Sequence, residues 1–343
     1  MSELHESALA DLLEKLVGRD RTARLFAALV VPASLQTQDQ RVSRAVLAQA
    51  LNMVLFEDLI ARVPAAHTYV ERCAAQGETI FHDHGAVRTV DGDAMGSLPR
   101  GQAAITRLLA PLGYELRGTY PLERLRMTGR SYAQADLPED IAQFFISELH
   151  VDRFPAEFAE AVAHVTASSK DPLTDKAKSL LQELSHRGSL SLDQAVALLP
   201  VLVSCFDRQH DEPTVADYET LLGHSAEMAW IATEGNAFNH ATDRVADVEK
   251  LTRDQKALGQ PMKDKVEVSG TGRVRQTAFL AARVPRNFRA ADGSTIEREV
   301  SGSFLEFIAR DYIPGEATKP ALDLSFDPSN AQAIFKMTAT GQP

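Results

Sequence analysis

Two stretches of β-type sequence, residues 78–149 and 236–308, flank a long helical block and run in the same order of strand, helix and further strands. That shared order constrains the fold more than any other feature. It points to a structural duplication and to an α+β fold in which the strands form the working scaffold. In the first unit, residues 78–90 are rich in β-formers and are bounded by Gly77 and Gly92. Residues 97–112 return to helix, with Pro99 near the start and Gly113 at the end, and residues 114–120 and 143–149 read as strands. In the second unit, residues 236–245 read as a strand and 247–258 as a polar helix. Strands then follow at 265–268, 273–283 and 301–308, with Ser269 to Arg273 as a hairpin turn. No short-period repeat is present, which excludes a solenoid.

Helical signals fill the remainder. Leu9, Leu12, Leu13, Leu16 and Val17 make an amphipathic stripe that stops at Gly18. Val46, Leu47, Ala50, Leu51 and Val54 form one face of a helix over residues 41–61. Ser191 with Gln194, and Thr214 with Asp217, resemble capping boxes inside a helical block at 155–235. The expected organisation is a single catalytic domain over residues 1–343. It comprises N-terminal helices (1–75), a first β unit (76–150), a helical insertion (151–235), a second β unit (236–312) and a C-terminal segment (313–343).

Composition then narrows the function. A content of 44% hydrophobic and 24% charged residues is ordinary for a globular chain with a sizeable core. Forty-seven acids against 36 bases give a net charge of -11, which repels phosphate backbones and anionic membranes at long range. The basic run from Arg117 to Arg130 is interrupted by Pro121, Glu123 and Gly129, so neither a nucleic-acid nor a membrane partner is expected. The only cysteines, Cys73 and Cys205, are far apart, which rules out a disulfide framework or a cysteine zinc site and suits a reducing compartment. The start of the chain is acidic where a secretory signal is basic, and the apolar run 25–31 is too short to span a bilayer. The expected location is the cytoplasm; the oligomeric state is not fixed by sequence.

Histidine and carboxylate placement carries the chemistry. His82, His84, Ala86 and Arg88 alternate with Phe81, Asp83 and Val87, so His84 and Arg88 share one face, roughly 13 Å apart along the strand. An arginine fork there suits a ligand carboxylate. His240 lies in the opening strand of the second unit, and Glu306 is flanked by Leu305 and Phe307 in an apolar strand. Burying such a carboxylate unpaired is costly, and a metal ion would pair it. Two imidazoles and a carboxylate from three strands match a facial triad with open positions. Alternatives stay open at this level: His82 competes as a ligand, and Glu306 faces solvent if its strand is an edge. The run of Arg283, Arg286 and Arg289, broken by Pro285, reads as a solvated loop.

These motifs together resemble the 2-oxoadipate dioxygenase/decarboxylase family. The resemblance is carried by residues 84–88 (His-Gly-Ala-Val-Arg), 128–132, 143–149, Asn239 with His240, and 302–306 (Gly-Ser-Phe-Leu-Glu), in that order, and spans roughly 51–310. The family is similar to the vicinal oxygen chelate superfamily, which implies a curved β-sheet built from duplicated βαβββ units. It also implies an Fe(II) cofactor held by His84, His240 and Glu306, with Arg88 as the catalytic, substrate-binding residue. The implied reaction takes 2-oxoadipate and O2 to 2-hydroxyglutarate and CO2, within lysine breakdown. Two other functions compete: a non-redox metal-dependent isomerase or lyase of the glyoxalase type, with His82 or Glu299 as a further ligand or base, and a non-catalytic small-molecule binding protein.

Overall fold

Alternation along the strands sorts the side chains into two cores. In β1 (His82–Asp91), Val87 packs into one core while Ala86 and Val90 enter a second. The structure is a computed structural model and describes residues 7–314 and 321–327. After β1 come α5 (Ala103–Leu109), β2 (Tyr114–Leu122), β3 (Met127–Gln134) and β4 (Gln143–His150). Among the described residues, four α-helices precede them: α1 (Ala8–Val17), α2 (Arg19–Ala28), α3 (Arg44–Arg62) and α4 (Pro64–Ala75). In β4, Phe144 and Ile146 join the core containing α1 and α3, while Phe145 and Leu149 join the other.

The helical block holds α6 (Ala156–Thr166), α7 (Asp175–Arg187), α8 (Leu192–Ser204), α9 (Val215–His224) and α10 (Ala226–Glu234). Ser191 and Gln194 form a reciprocal capping box at the start of α8. Thr214 caps α9 through its side chain, but Asp217 accepts from the Thr214 hydroxyl at 2.6 Å. The second β unit follows as β5 (His240–Arg244), α11 (Val248–Ala257), β6 (Glu267–Val268), β7 (Val274–Ala278), β8 (Arg283–Arg289), β9 (Thr295–Ser301) and β10 (Phe304–Arg310).

Among the described residues, eight strands form one curved mixed sheet in the order β2-β3-β4-β1-β5-β10-β7-β6. The duplication is explicit in that order. Strand β1 pairs parallel with β4, which continues antiparallel through β3 to β2. Strand β5 pairs parallel with β10, which continues antiparallel through β7 to β6. The two units join where β1 and β5 run antiparallel, so the first strand of each unit lies at the centre of the sheet. The turn at 269–273 closes on Ser269 N to Val274 O, as its sequence suggests.

Some expectations need correction. The run from Arg283 to Arg289 is not a loop but strand β8, paired with β9 in a separate two-stranded sheet. Its pairing tolerates Pro285, and Phe288, buried against Tyr218, supplies the apolar anchor. Strand β3 and helices α2 and α4 are not among the elements expected from sequence, although Pro64 opens α4, and the helix at 97–112 is confined to α5. The polar stretch at 325–343 lies outside the described residues beyond Asp327. Among the described residues no helix is long and apolar enough to cross a membrane.

Candidate metal centre

The junction of β1, β5 and β10 places three separated residues together. In the register Ala86 pairs with His240, His84 with Thr242, and Glu306 with Thr242. His84, His240 and Glu306 thus share one face of adjacent central strands, and their candidate ligand atoms all lie within 4.8 Å of one another. Glu306 Oε2 is 3.1 Å from His240 Nε2 and 3.8 Å from His84 Nε2. Metal–ligand bonds of about 2.1 Å bring neighbouring donors to roughly 3 Å, close to this spacing.

Each histidine has a partner behind it. His84 Nδ1 meets Asp83 Oδ1 at 2.8 Å, so the ring donates from Nδ1 and turns Nε2 inward. Asp83 is itself held by Arg244 Nε at 2.6 Å and Arg310 Nη2 at 2.9 Å. Burial pushes its pKa up, but the two guanidinium groups and His84 outweigh that and hold the carboxyl well below the usual range. His240 Nδ1 lies 3.0 Å from the Asn239 side-chain amide, which can turn its oxygen to that nitrogen and leave Nε2 bare. Thr242 Oγ1 lies 3.1 Å from His84 Nε2 and 3.4 Å from Glu306 Oε2.

The electrostatics favour a cation. Burial lowers the pKa of His84 and drives that of His240 well down, so both rings are neutral donors. Burial raises that of Glu306 to about 8, and its Oε1 is enclosed without a hydrogen-bond partner. A divalent ion would replace the proton on that carboxyl and pair the orphaned oxygen, so the residues fit a metal.

The adjoining cavity contains about 420 Å³ of space free of atoms and opens to solvent. Beyond the three donors it is lined by Ala86, Phe145, Ser147, Gln276, Phe326 and Asp327, together with Asn239. Arg88 is not among the lining residues. It is fully buried two positions beyond Ala86, paired in register with the lining Ser147, and its guanidinium lies 4.9 Å from the centre of the Trp230 ring. Burial lowers its pKa to about 10, opposed by the charge of Glu227.

His82 does not join the site. The β1–β5 register shifts between His82 and His84, and the His82 ring packs 5.0 Å from Phe56 and 6.3 Å from Phe238. Burial drives its pKa down to about 3. Glu299 is exposed on β9, away from the cluster. Sequence reasoning missed Asp83, Thr242, Arg310 and Phe326. Of these only Arg310 carries a usable signal, a charged residue closing the largely apolar strand Phe304–Arg310.

Two histidines and a glutamate thus meet on the central strands of a duplicated βαβββ sheet, a candidate metal site on an α+β scaffold. The sequence profile of the 2-oxoadipate dioxygenase/decarboxylase family matches residues 40–333, and the chain belongs to that family. It is 28% identical over 281 residues to the 2-oxoadipate dioxygenase/decarboxylase of Mycobacterium tuberculosis, covering 73% of this chain and 66% of that protein. The chloroplastic protein of the same name from Arabidopsis thaliana is 25% identical over 287 residues, covering 76% and 69%. Among solved structures, a glyoxalase superfamily protein from Ralstonia eutropha superposes with a TM-score of 0.89 at 55% identity, covering 93% of this chain and 98% of the other. The hydroxyglutarate synthase of Oryza sativa, solved with 2-oxoadipate, has the same fold, with a TM-score of 0.66 at 19% identity and coverage of 92% and 96%.

Proposed function

We propose that this chain is an Fe(II)-dependent oxygenase that converts 2-oxoadipate and O2 to 2-hydroxyglutarate and CO2, as a single catalytic domain working in the cytoplasm in lysine breakdown. The observation that carries the reading is the enclosed cluster of His84, His240 and Glu306, with its orphaned carboxylate oxygen, in a chain of this family. The reaction balances: six carbons enter, five leave in the hydroxy acid and one in CO2, and both oxygen atoms of O2 are retained in the products.

His84, His240 and Glu306 would hold the ion from one side and leave the cavity side open to ligands. A ferrous ion there would supply a chelating centre for the 2-oxo and carboxylate oxygens and electrons for O2 reduction. Asp83 keeps the His84 Nδ1 proton in place and so keeps Nε2 available. Arg88 would pair the second carboxylate through its two-pronged donor edge, with Trp230 behind it. Phe145 and Phe326 would give the reacting end of the cavity an apolar wall.

The glyoxalase-type alternative calls for a further ligand or base that neither His82 nor Glu299 supplies in this arrangement. The test is an oxygen-electrode assay with 2-oxoadipate and added Fe(II). Equimolar O2 uptake and CO2 release are expected. Anaerobic turnover supported by Zn(II) or Ni(II) would overturn the oxygenase reading.

A further inference from the structure

One side chain joins the carboxylate behind a candidate metal ligand to the backbone of the cavity wall. Arg310 lies on β10, four residues beyond Glu306, with its side chain completely enclosed. Along one edge, Nη2 donates to Asp83 Oδ1 at 2.9 Å and Nε donates to Asp83 Oδ2 at 3.0 Å. Asp83 Oδ1 is the atom that receives the His84 Nδ1 proton. Along the other edge, Nη1 donates to the backbone carbonyls of Asp323 and Ser325, both at 2.9 Å. The guanidinium also lies 5.1 Å from the centre of the Phe326 ring.

Residues 321–327 are therefore seated by a group that also orients a metal ligand. Phe326 meets the His84 ring edge-on at 4.8 Å and Phe145 at 4.9 Å, and Phe326 and Asp327 line the cavity. Arg273 Nε holds the Asp323 carboxylate at 2.7 Å, and Phe326 N donates to Tyr120 Oη at 3.3 Å. Charge neutralisation does not by itself require Arg310 at Asp83, because Arg244 already donates to that carboxylate at 2.6 Å. What Arg310 adds is the bridge. A lysine would keep the charge but lacks the planar fork that serves both sides at once.

We infer that Arg310 is a positioning residue that couples the metal centre to the segment 321–327, whose Phe326 and Asp327 line the cavity. It acts through Asp83 on His84, and through two carbonyls on the backbone that carries Phe326. This inference rests on the reading of His84, His240 and Glu306 as metal ligands. Coupling of this kind is reciprocal, so a disturbance of the wall must appear at the metal, even when the altered side chain touches no ligand. The Asp323 side chain provides such a disturbance, since it contacts Arg273 and Ser325 rather than the histidines.

The experiment is a Co(II) titration, followed by visible absorption, of the full chain and of three variants: Arg310→Lys, Asp323→Ala and the double variant. Arg310→Lys is expected to weaken Co(II) about tenfold to a hundredfold and to shift the absorption band. Asp323→Ala is expected to weaken Co(II) several-fold alone and to add nothing in the Arg310→Lys background. Effects that simply multiply in the double variant, or a wild-type affinity and band in Arg310→Lys, would overturn the inference. Should Arg310→Lys not fold, Asp323→Ala alone decides, because an unchanged Co(II) affinity there overturns it too. A wild-type chain that binds no Co(II) would remove the metal-site reading itself, whereas normal binding with uncoupled variants removes only the bridge.

Discussion

Glu306 and His240 meet with Oε2 3.1 Å from Nε2, while the other carboxylate oxygen of Glu306 is enclosed with no hydrogen-bond partner. A metal-free carboxyl in that position is neutral at pH 7, because burial raises its pKa to about 8. Gln has the shape of that neutral acid but cannot become an anion. Glu306→Gln is therefore expected to leave unfolding free energy within about 1 kcal/mol of wild type. Divalent-metal affinity is expected to fall at least roughly a hundredfold, beyond the loss usual for a supporting residue. Urea unfolding and metal titration on the same preparation separate the two. Normal metal binding by the variant would contradict the site.

The glycine beside the first ligand is a packing requirement. A Cβ on Gly85 would stand 2.3 Å from both Cε2 and Cζ of Phe238. That ring has no room to retreat, with Phe144 at 5.7 Å and Phe206 at 5.8 Å. Gly85→Ala should cost about 1–3 kcal/mol by overpacking. Replacing Phe238 by Leu in the same chain should return part of that loss. A Gly85→Ala urea midpoint equal to wild type would show that β1 and Phe238 are not so close.

The two β units were legible because strands with apolar alternation leave a period-two pattern, and Glu306 stood out as a charge between Leu305 and Phe307. The register shift that turns His82 away from His84 was not legible, since a bulge depends on the partner strand rather than on local residues. Strand β8 was hidden because Arg283, Arg286, Arg289 and Pro285 read as loop chemistry, whereas its stability comes from pairing with β9 and from Phe288. Arg310 as a bridge was not legible either, because Asp83 is 227 residues away and its other partners, the Asp323 and Ser325 carbonyls, are backbone groups with no residue signature.

Arg88 sits behind the cavity lining, over Trp230 and within the field of Glu227. Its proposed role makes Arg88→Lys informative, because the charge that balances Glu227 is retained while the fork is lost. Metal affinity should remain at the wild-type value. KM for the 2-oxo acid should rise about ten- to a hundredfold, the equivalent of roughly 1.5–3 kcal/mol for a charged hydrogen bond. Steady-state kinetics with a parallel metal titration provides the check. An unchanged KM would assign Arg88 to packing alone.

Asp243 lends the fold a pH dependence separate from the metal donors. Its carboxyl accepts from Tyr69 Oη at 2.7 Å and from Phe81 N at 3.1 Å, yet burial is the larger influence and raises its pKa to about 7. An unfolded aspartate titrates near 3.9, so between about pH 4 and 7 the native state holds a proton that the unfolded state has lost. The sign follows: the stability is fully present below about pH 4 and is lost as pH rises through 7. The total is at most on the order of 4 kcal/mol. Asp243→Asn keeps an acceptor for Phe81 N and offers an amide hydrogen to Tyr69, with no charge to expel at high pH. Its unfolding free energy should therefore vary less with pH over that window, by close to one proton, and should exceed that of wild type at pH 8. Urea titrations at half-unit pH intervals measure this directly, and parallel curves for the two proteins would place the Asp243 carboxyl outside the neutral state.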